Sequence, residues 1–237
     1  MLVKTKAIVL SALRYQEKSL IVKCYTESDG LKSYYVRDAF SSKRSSQKIV
    51  YFRPLTILEI EASHKNRGTL EHLKEIKIAY PYFSINTDIT KTTIAIFVAE
   101  MLHNSIREEE KNPEFYTYLE AALLWLDNNE ESANFHLILL LEITKFLGFY
   151  PNPPKEDSCY FEMTEGTFTI EASLSCLTVE ETNLFLKLLP LKLNDASRVF
   201  HFTERRQLLK ILMEYFSLHL EGFIRPKSFE VLKEVFG

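Results

Sequence analysis

The sequence predicts an α+β protein of two domains: a small closed β-barrel, then a mainly helical domain with a short β-hairpin inserted. Three observations carry this. The hydrophobic period changes from extended to helical after Tyr80-Pro81-Tyr82. Five short apolar runs precede that point, more than a single hairpin needs. The charge is also lopsided. Residues 1–78 hold fifteen Lys and Arg against eight acids, a balance of +7, whereas the remainder carries −10, within a formal net charge of −3.

The first run, from Leu2 to Leu13, is rich in β-branched residues around Ile8-Val9-Leu10. The second, Ser19 to Thr26, sets Leu20, Val22 and Cys24 on one face and Ile21, Lys23 and Tyr25 on the other. Asp29-Gly30 is a two-residue turn signal leading into a strand from Leu31 to Arg37. Leu55 to Ala62 alternates, and Glu71 to Ala79 supplies a fifth strand. Closing five strands into a barrel removes exposed sheet edges, so residues 1–79 form the first domain. From 80 to 237 the elements are helical. Asp88 or Thr87 caps the first helix, whose face carries Ile94, Phe97, Val98, Met101 and Leu102. Asn112-Pro113 starts a second helix, which runs to about Asp127. Phe135 to Leu147 is apolar nearly all round and ends at Gly148 in a left-handed cap, the pattern of a central buried helix. A hairpin near 158–172 turns at Glu165-Gly166. Thr178-Val-Glu-Glu181 is a capping box, Thr203 to Leu220 is a long helix, and a short one follows from Lys227.

Catalytic signatures are missing. With 6 Gly in 237 residues there is no phosphate-cradling loop, no dinucleotide fingerprint, no H-E-x-x-H and no nucleophile elbow. The six His are scattered, and Cys24, Cys159 and Cys176 form no C-x-x-C pair. The acids concentrate in the helical half, away from the basic part, which argues against a metal-dependent nuclease. The amino terminus is charged where a leader would be apolar, and the apolar run Leu137–Leu141 is far shorter than the roughly 20 residues of a membrane span. The expectation is a non-enzymatic protein of the cytoplasm, with no membrane contact and no cofactor.

The basic barrel is the candidate functional part. Barrels of the oligonucleotide-binding type join backbone neutralisation to aromatic stacking. Ser41–Lys48 is a polar, basic loop between strands, and Tyr34-Tyr35 precede it on opposite faces of one strand, so one of the two faces outward. The candidate DNA contacts are Arg14, Lys18, Lys23, Lys32, Tyr34, Tyr35, Arg37, Lys43, Arg44, Lys48 and Arg53. The competing reading is a protein–protein adaptor whose barrel binds peptide or is purely structural.

The order of short motifs resembles the RecO family of bacterial recombination mediators across nearly the whole chain. Ala7-Ile-Val-Leu10 leads to Tyr15-Gln-Glu-Lys-Ser-Leu-Ile-Val22, then to Thr26-Glu-Ser-Asp-Gly-Leu31 and Arg53-Pro-Leu55. In the second half, Leu139 to Pro151 and the tail His219-Leu-Glu-Gly-Phe-Ile-Arg-Pro-Lys-Ser228 are similar to the family's buried helix and its close. The resemblance implies nucleoid association, binding of single- and double-stranded DNA, strand annealing, and loading of recombinase together with RecR. It also implies that the helical domain docks the acidic, Phe-ended carboxy-terminal tail of single-strand-binding protein. The cations available for that are Arg205, Arg206, Lys210, Arg225 and Lys227, with Phe202, Leu209, Phe223 and Ile224 as apolar walls. Many members carry a four-cysteine zinc element after the G-[YF]-x-P segment. Here only Cys159 and Cys176 lie in that region, short of the four ligands that structural zinc needs. No zinc is expected, and the hairpin is expected to hold by packing of Tyr160, Phe161, Phe168 and Ile170.

Overall fold

The structure is a computed structural model that describes residues 1–40, 47–65, 70–107, 111–130, 132–154, 156–195 and 199–235. Its strands are β1 (Leu2–Tyr15), β2 (Ser19–Thr26), β3 (Gly30–Val36), β4 (Ile57–Ser63), β5 (Glu71–Ile78), β6 (Tyr160–Glu162) and β7 (Thr167–Thr169). The α-helices are α1 (Ile89–Ser105), α2 (Pro113–Asn128), α3 (Phe135–Phe146), α4 (Val179–Leu188), α5 (Phe202–His219) and α6 (Ser228–Val235).

Strands β1 to β5 close into a barrel in the order β1-β2-β3-β5-β4. The long first strand serves two partners, its amino-terminal half pairing with β4 and its carboxy-terminal half with β2. The register shifts between Val9 and Ser11, a bulge that bends β1 from one neighbour to the next. Closure comes from a short parallel pairing of Tyr34 with Glu71 and Tyr35 with His72. Period-2 alternation sends Leu20, Val22, Cys24, Tyr34, Val36, Leu58, Ile60 and Ala62 inward, where they form one buried cluster with Ala7, Val9 and Phe52. The β2–β3 connection differs from the two-residue turn expected. Thr26 pairs with Gly30, leaving Glu27–Asp29 as a three-residue loop. Gly30 takes a φ of 64°, and Thr26 Oγ1 donates to the Gly30 carbonyl and accepts from the Asp29 N–H. A 3₁₀ helix, Gln47–Phe52, occupies the end of the segment read from the sequence as a loop.

Two compact units divide the chain, residues 1–128 with Pro226–Ser228 and residues 129–225 with 229–237. The sequence boundary at residue 79 thus marks the end of the barrel, and the first unit also takes in α1 and α2. Asp88 caps α1 by accepting the Lys91 N–H. On the outer side of β2, Tyr25 is buried against Phe115 and Tyr116 of α2, at ring distances of 5.3 and 6.4 Å. The segment entering α1 is held by Asp127, whose carboxylate accepts the backbone N–H groups of Phe83, Ser84 and Ile85 at 2.8–3.0 Å.

In the second unit α3 is buried along nearly its whole length, as its all-round apolar sequence requires. Gly148 follows it at a φ of 85°. The β6–β7 hairpin packs through Phe161 and Phe168, 0% and 4% exposed, with the Phe161 ring tilted against those of Phe185 and Tyr215. Ile170 does not join them. It is 65% exposed, beyond the end of β7, and Tyr160 is half-buried. At the hairpin turn Gly166 has a φ of 64°, and a Cβ there would meet the Tyr215 hydroxyl at 2.5 Å. Thr178 and Glu181 form the expected capping box of α4.

Candidate nucleic-acid interface

At one end of the barrel, the turn joining β1 to β2 lies beside the exit of β3. Arg14 pairs with Leu20 across β1–β2, and Leu20 with Val36 across β2–β3, so Arg14, Lys18 and Arg37 come together at this end. Gln16 and Asp38 take left-handed φ values of 54° and 53°, which tighten the two chain reversals. The Phe40 N–H donates to the Lys18 carbonyl and ties the reversals to each other. Arg14 donates to the Glu17 carbonyl, and its guanidinium lies 5.0 Å from the Phe40 ring centre. Neither contact neutralises its charge. All three cations are exposed, and Arg37 Nε lies 3.7 Å from the carboxylate of its neighbour Asp38.

An aromatic row crosses the same region. Tyr15 and Tyr35 meet edge to face at 6.2 Å and 88°, and Tyr35 meets His72 at 6.2 Å and 90°. The Tyr35 hydroxyl is fixed 2.9 Å from Ser19 Oγ. Tyr15 and His72 are exposed, and Tyr35 is half-buried between them. Tyr35, Arg14, Lys18 and Arg37 were legible as candidates. Tyr15 and His72 were not, because only the register across β1, β2, β3 and β5 brings them to Tyr35.

Two candidates leave the interface on burial. Tyr34 is fully buried and its hydroxyl is 2.9 Å from His64 Nε2, so it cannot stack on a base. Lys32 is 7% exposed, opposite the inward-facing Cys24. Both follow from parity: residues 32, 34 and 36 of β3 share the inner face. Lys23 is half-buried, and burial lowers its pKa. Beside it, burial and the Lys23 charge lower the pKa of His103, whose Nδ1 lies 3.2 Å from Ser11 Oγ. Arg53 is exposed at the exit of the 3₁₀ helix. Lys43 and Arg44 lie outside the described residues, and Lys48 is described only by its backbone.

The wall formed by β1, β4 and β5 differs. A groove of about 370 Å³ there is lined by Lys4, Lys6 and Lys77 together with Glu27, Glu59, Glu61 and Glu75. Lys4 lies 3.3 Å from Glu61, and Lys6 donates to Glu120 of α2 at 2.8 Å. That hydrogen bond raises the Lys6 pKa.

The second unit carries a cationic pocket of about 430 Å³ between α5, α6 and the start of α4. Arg206, Lys210, Arg225 and Lys233 line it with Phe229. The Arg225 guanidinium lies 5.3 Å from the Phe229 ring centre and the Lys233 ammonium 4.5 Å from it, so two cations share one apolar wall. Of the five expected cations, Arg206, Lys210 and Arg225 are here and two are not. Arg205 donates to the Phe200 carbonyl, and burial lowers its pKa. Lys227 belongs to the first unit, where its N–H donates to Glu100. Nor do the expected apolar walls line the pocket: Leu209 is buried and Ile224 is 69% exposed. Phe229 and Lys233, missed in the sequence, stand one helical turn apart on α6, a spacing that pairs them on the short helix expected from Lys227.

Among the described residues no three His, Cys, Asp or Glu side chains gather into a metal-holding group, and no helix is long and apolar enough to cross a membrane. Cys159 is exposed and Cys176 half-buried, both as free thiols.

Comparison with known proteins follows this geography. The family model described as Recombination protein O N terminal matches residues 1–82, and the one described as Recombination protein O C terminal matches residues 86–228. The chain is 65% identical over its full length, and that of its relative, to a protein of Flavobacterium psychrophilum named DNA repair protein RecO. Proteins of the same name from Flavobacterium johnsoniae and Bacteroides fragilis are 60% and 40% identical, again with full coverage of both chains. With both family models matched in order and relatives similar end to end, the chain belongs to the RecO family.

Proposed function

We propose that this chain is a DNA repair protein acting as a recombination mediator of the RecF pathway, through binding rather than turnover chemistry. One observation carries the reading: three exposed cations and an aromatic row share one end of a closed barrel. Annealing requires two polyanions to approach. Cations that contact the backbone lower that repulsion without reading sequence, since phosphate contacts carry no base information. Single- and double-stranded DNA both present the required charge.

The pocket on the second unit supports docking of the carboxy-terminal tail of single-strand-binding protein. An acidic peptide ending in Phe needs cations for its carboxylates, of which the planar fork of Arg is best matched to the terminal one. It also needs an apolar wall for its ring. Arg206, Arg225 and Phe229 meet those needs. RecR, implied by the family alone, completes the proposed set of partners in recombinase loading.

The test is binding to oligonucleotides of unrelated sequence across a salt series. Equal affinities are expected, with log affinity falling linearly in log salt by about 0.7 per phosphate contacted on single strands. Salt-independent binding, or affinity confined to one sequence, sinks the reading. For the tail, a peptide ending in Phe should bind, and Arg225→Glu should abolish that binding while leaving DNA affinity unchanged. Arg206→Glu is the second probe. If neither changes peptide binding, the pocket is not the docking site.

A further inference from the structure

We infer that Tyr15, Tyr35 and His72 form a stacking platform for unpaired bases, so that this end of the barrel distinguishes a single strand from a duplex. The inference rests on the proposed DNA-binding role and deepens it. The cations beside the row attract any polyanion, whereas the rings can engage only bases whose faces are open.

The geometry supplies the selectivity. Neighbouring rings meet edge to face, at 88° and 90°, whereas successive bases in duplex DNA lie parallel at a rise of about 3.4 Å. Bases in a duplex keep their faces against one another and cannot turn them onto rings set at right angles to each other. An unpaired, extended strand can. Tyr35 is the brace. Its hydroxyl is fixed by Ser19 Oγ, and it meets Tyr15 at 88° and His72 at 90°, which holds the two exposed rings in place before any strand arrives. Pre-organisation of this kind lowers the ordering cost of binding. Arg14, Lys18 and Arg37 lie at the same end to take the strand's phosphates. Stacking occupies base faces and leaves the pairing edges open, so a strand held this way remains able to pair with its complement.

Tyr15→Ala and His72→Ala probe the platform because both side chains are exposed and outside the barrel core. Each should lower affinity for an oligo-dT strand by about fivefold or more. Affinity for a duplex of equal length should stay within twofold, and the salt slope on both should be unchanged. Tyr15→Phe, which keeps the ring, should bind like the parent. An abasic strand of the same length carries the charge without the bases. The parent should bind it more weakly than oligo-dT, and the Tyr15→Ala/His72→Ala double variant should bind the two alike. If the parent binds DNA in a salt-dependent way but the double variant still prefers oligo-dT to the abasic strand, the platform is wrong and the DNA-binding role stands. A duplex affinity that falls in parallel with that for the single strand also overturns it. If the parent binds neither, the proposed function fails, and this inference with it.

Discussion

The turn end of the barrel and its β1–β4–β5 wall are built from the same residue types, yet their charges are placed differently. Arg14 contacts a carbonyl and a ring, and Arg37 meets only its sequence neighbour Asp38, at 3.7 Å with both side chains largely in solvent, 83% and 58% exposed. Lys4 and Lys6 on the wall each face a carboxylate, at 3.3 and 2.8 Å, and Lys77 lines a groove with four glutamates. A cation already matched to a carboxylate offers little net field to a polyanion, whereas an unmatched one offers all of it. The balance of +7 read from residues 1–78 is therefore not a uniform property of the barrel. It resolves into one attractive end and one neutralised side.

The largest effect expected from this contrast is on DNA binding. Replacing Arg14, Lys18 and Arg37 together with Ala removes three phosphate contacts. At 50 mM salt that should weaken single-strand affinity roughly 500-fold and reduce the salt slope by about 2. Replacing Lys4 and Lys77 with Ala should change affinity by less than about threefold. Equal losses from the two sets would erase the distinction between end and wall.

Much of the fold was legible in local pattern. The five strands, the Asp88 cap, the buried α3 and the Thr178–Glu181 capping box are each written in adjacent residues, because period and capping chemistry act over a few positions. The site was legible only in part. That one of Tyr34 and Tyr35 faces inward follows from alternation, but which one depends on the barrel, and the parity that buries Tyr34 also buries Lys32. The partners of Tyr35 come from β1 and β5 through a parallel pairing that no local pattern encodes. Likewise Phe229 comes beside Arg206 and Lys210 only because α5 and α6, elements separated in sequence, line one pocket.

Engaged charges should register in stability instead. Asp127 is 3% exposed and its carboxylate accepts three backbone N–H groups. Burial pushes its pKa up, but these hydrogen bonds outweigh that and hold it below the ordinary value of 3.8. Asp127→Asn retains a single acceptor oxygen and should cost about 3 kcal/mol in urea unfolding at pH 7. A depressed carboxylate pKa stabilises the fold above the unfolded value, and that contribution is lost as pH falls through the folded one. The parent should therefore lose stability below about pH 4, a component the Asn variant lacks.

A different pH window belongs to the second unit. His136 is fully buried, and burial, reinforced by the charge of Arg205, drives its pKa down to about 3. Its neutral form fits the fold, so the contribution is complete above the unfolded value near 6.5 and declines as pH falls toward 3. Parent stability should drop by about 2 kcal/mol between pH 7 and pH 5, before the carboxylates titrate. A flat profile over that interval would show that His136 accepts a proton without unfolding.

The smallest expected effect falls on the wall itself and is the strictest test of the contrast. Lys6 and Glu120 form a 2.8 Å pair, with side chains 40% and 23% exposed. Water screens such a pair, so a double-mutant cycle with Lys6→Met and Glu120→Gln should give a coupling of only about 0.5 kcal/mol at pH 7. The hydrogen bond to Glu120 raises the Lys6 pKa. The coupling is thus fully present at neutral pH and is lost as pH rises through the folded Lys6 value, above the ordinary 10.5. Salt should weaken it further. The DNA arm of the same cycle is the sharper one. Glu120→Gln releases the Lys6 charge, so if pairing is what silences the wall, this change alone should raise DNA affinity by up to about twofold while Lys6→Met leaves it unchanged. Were Lys6→Met instead to weaken binding as much as loss of one end cation, a matched lysine would still be holding phosphate, and pairing would not be what separates the two regions.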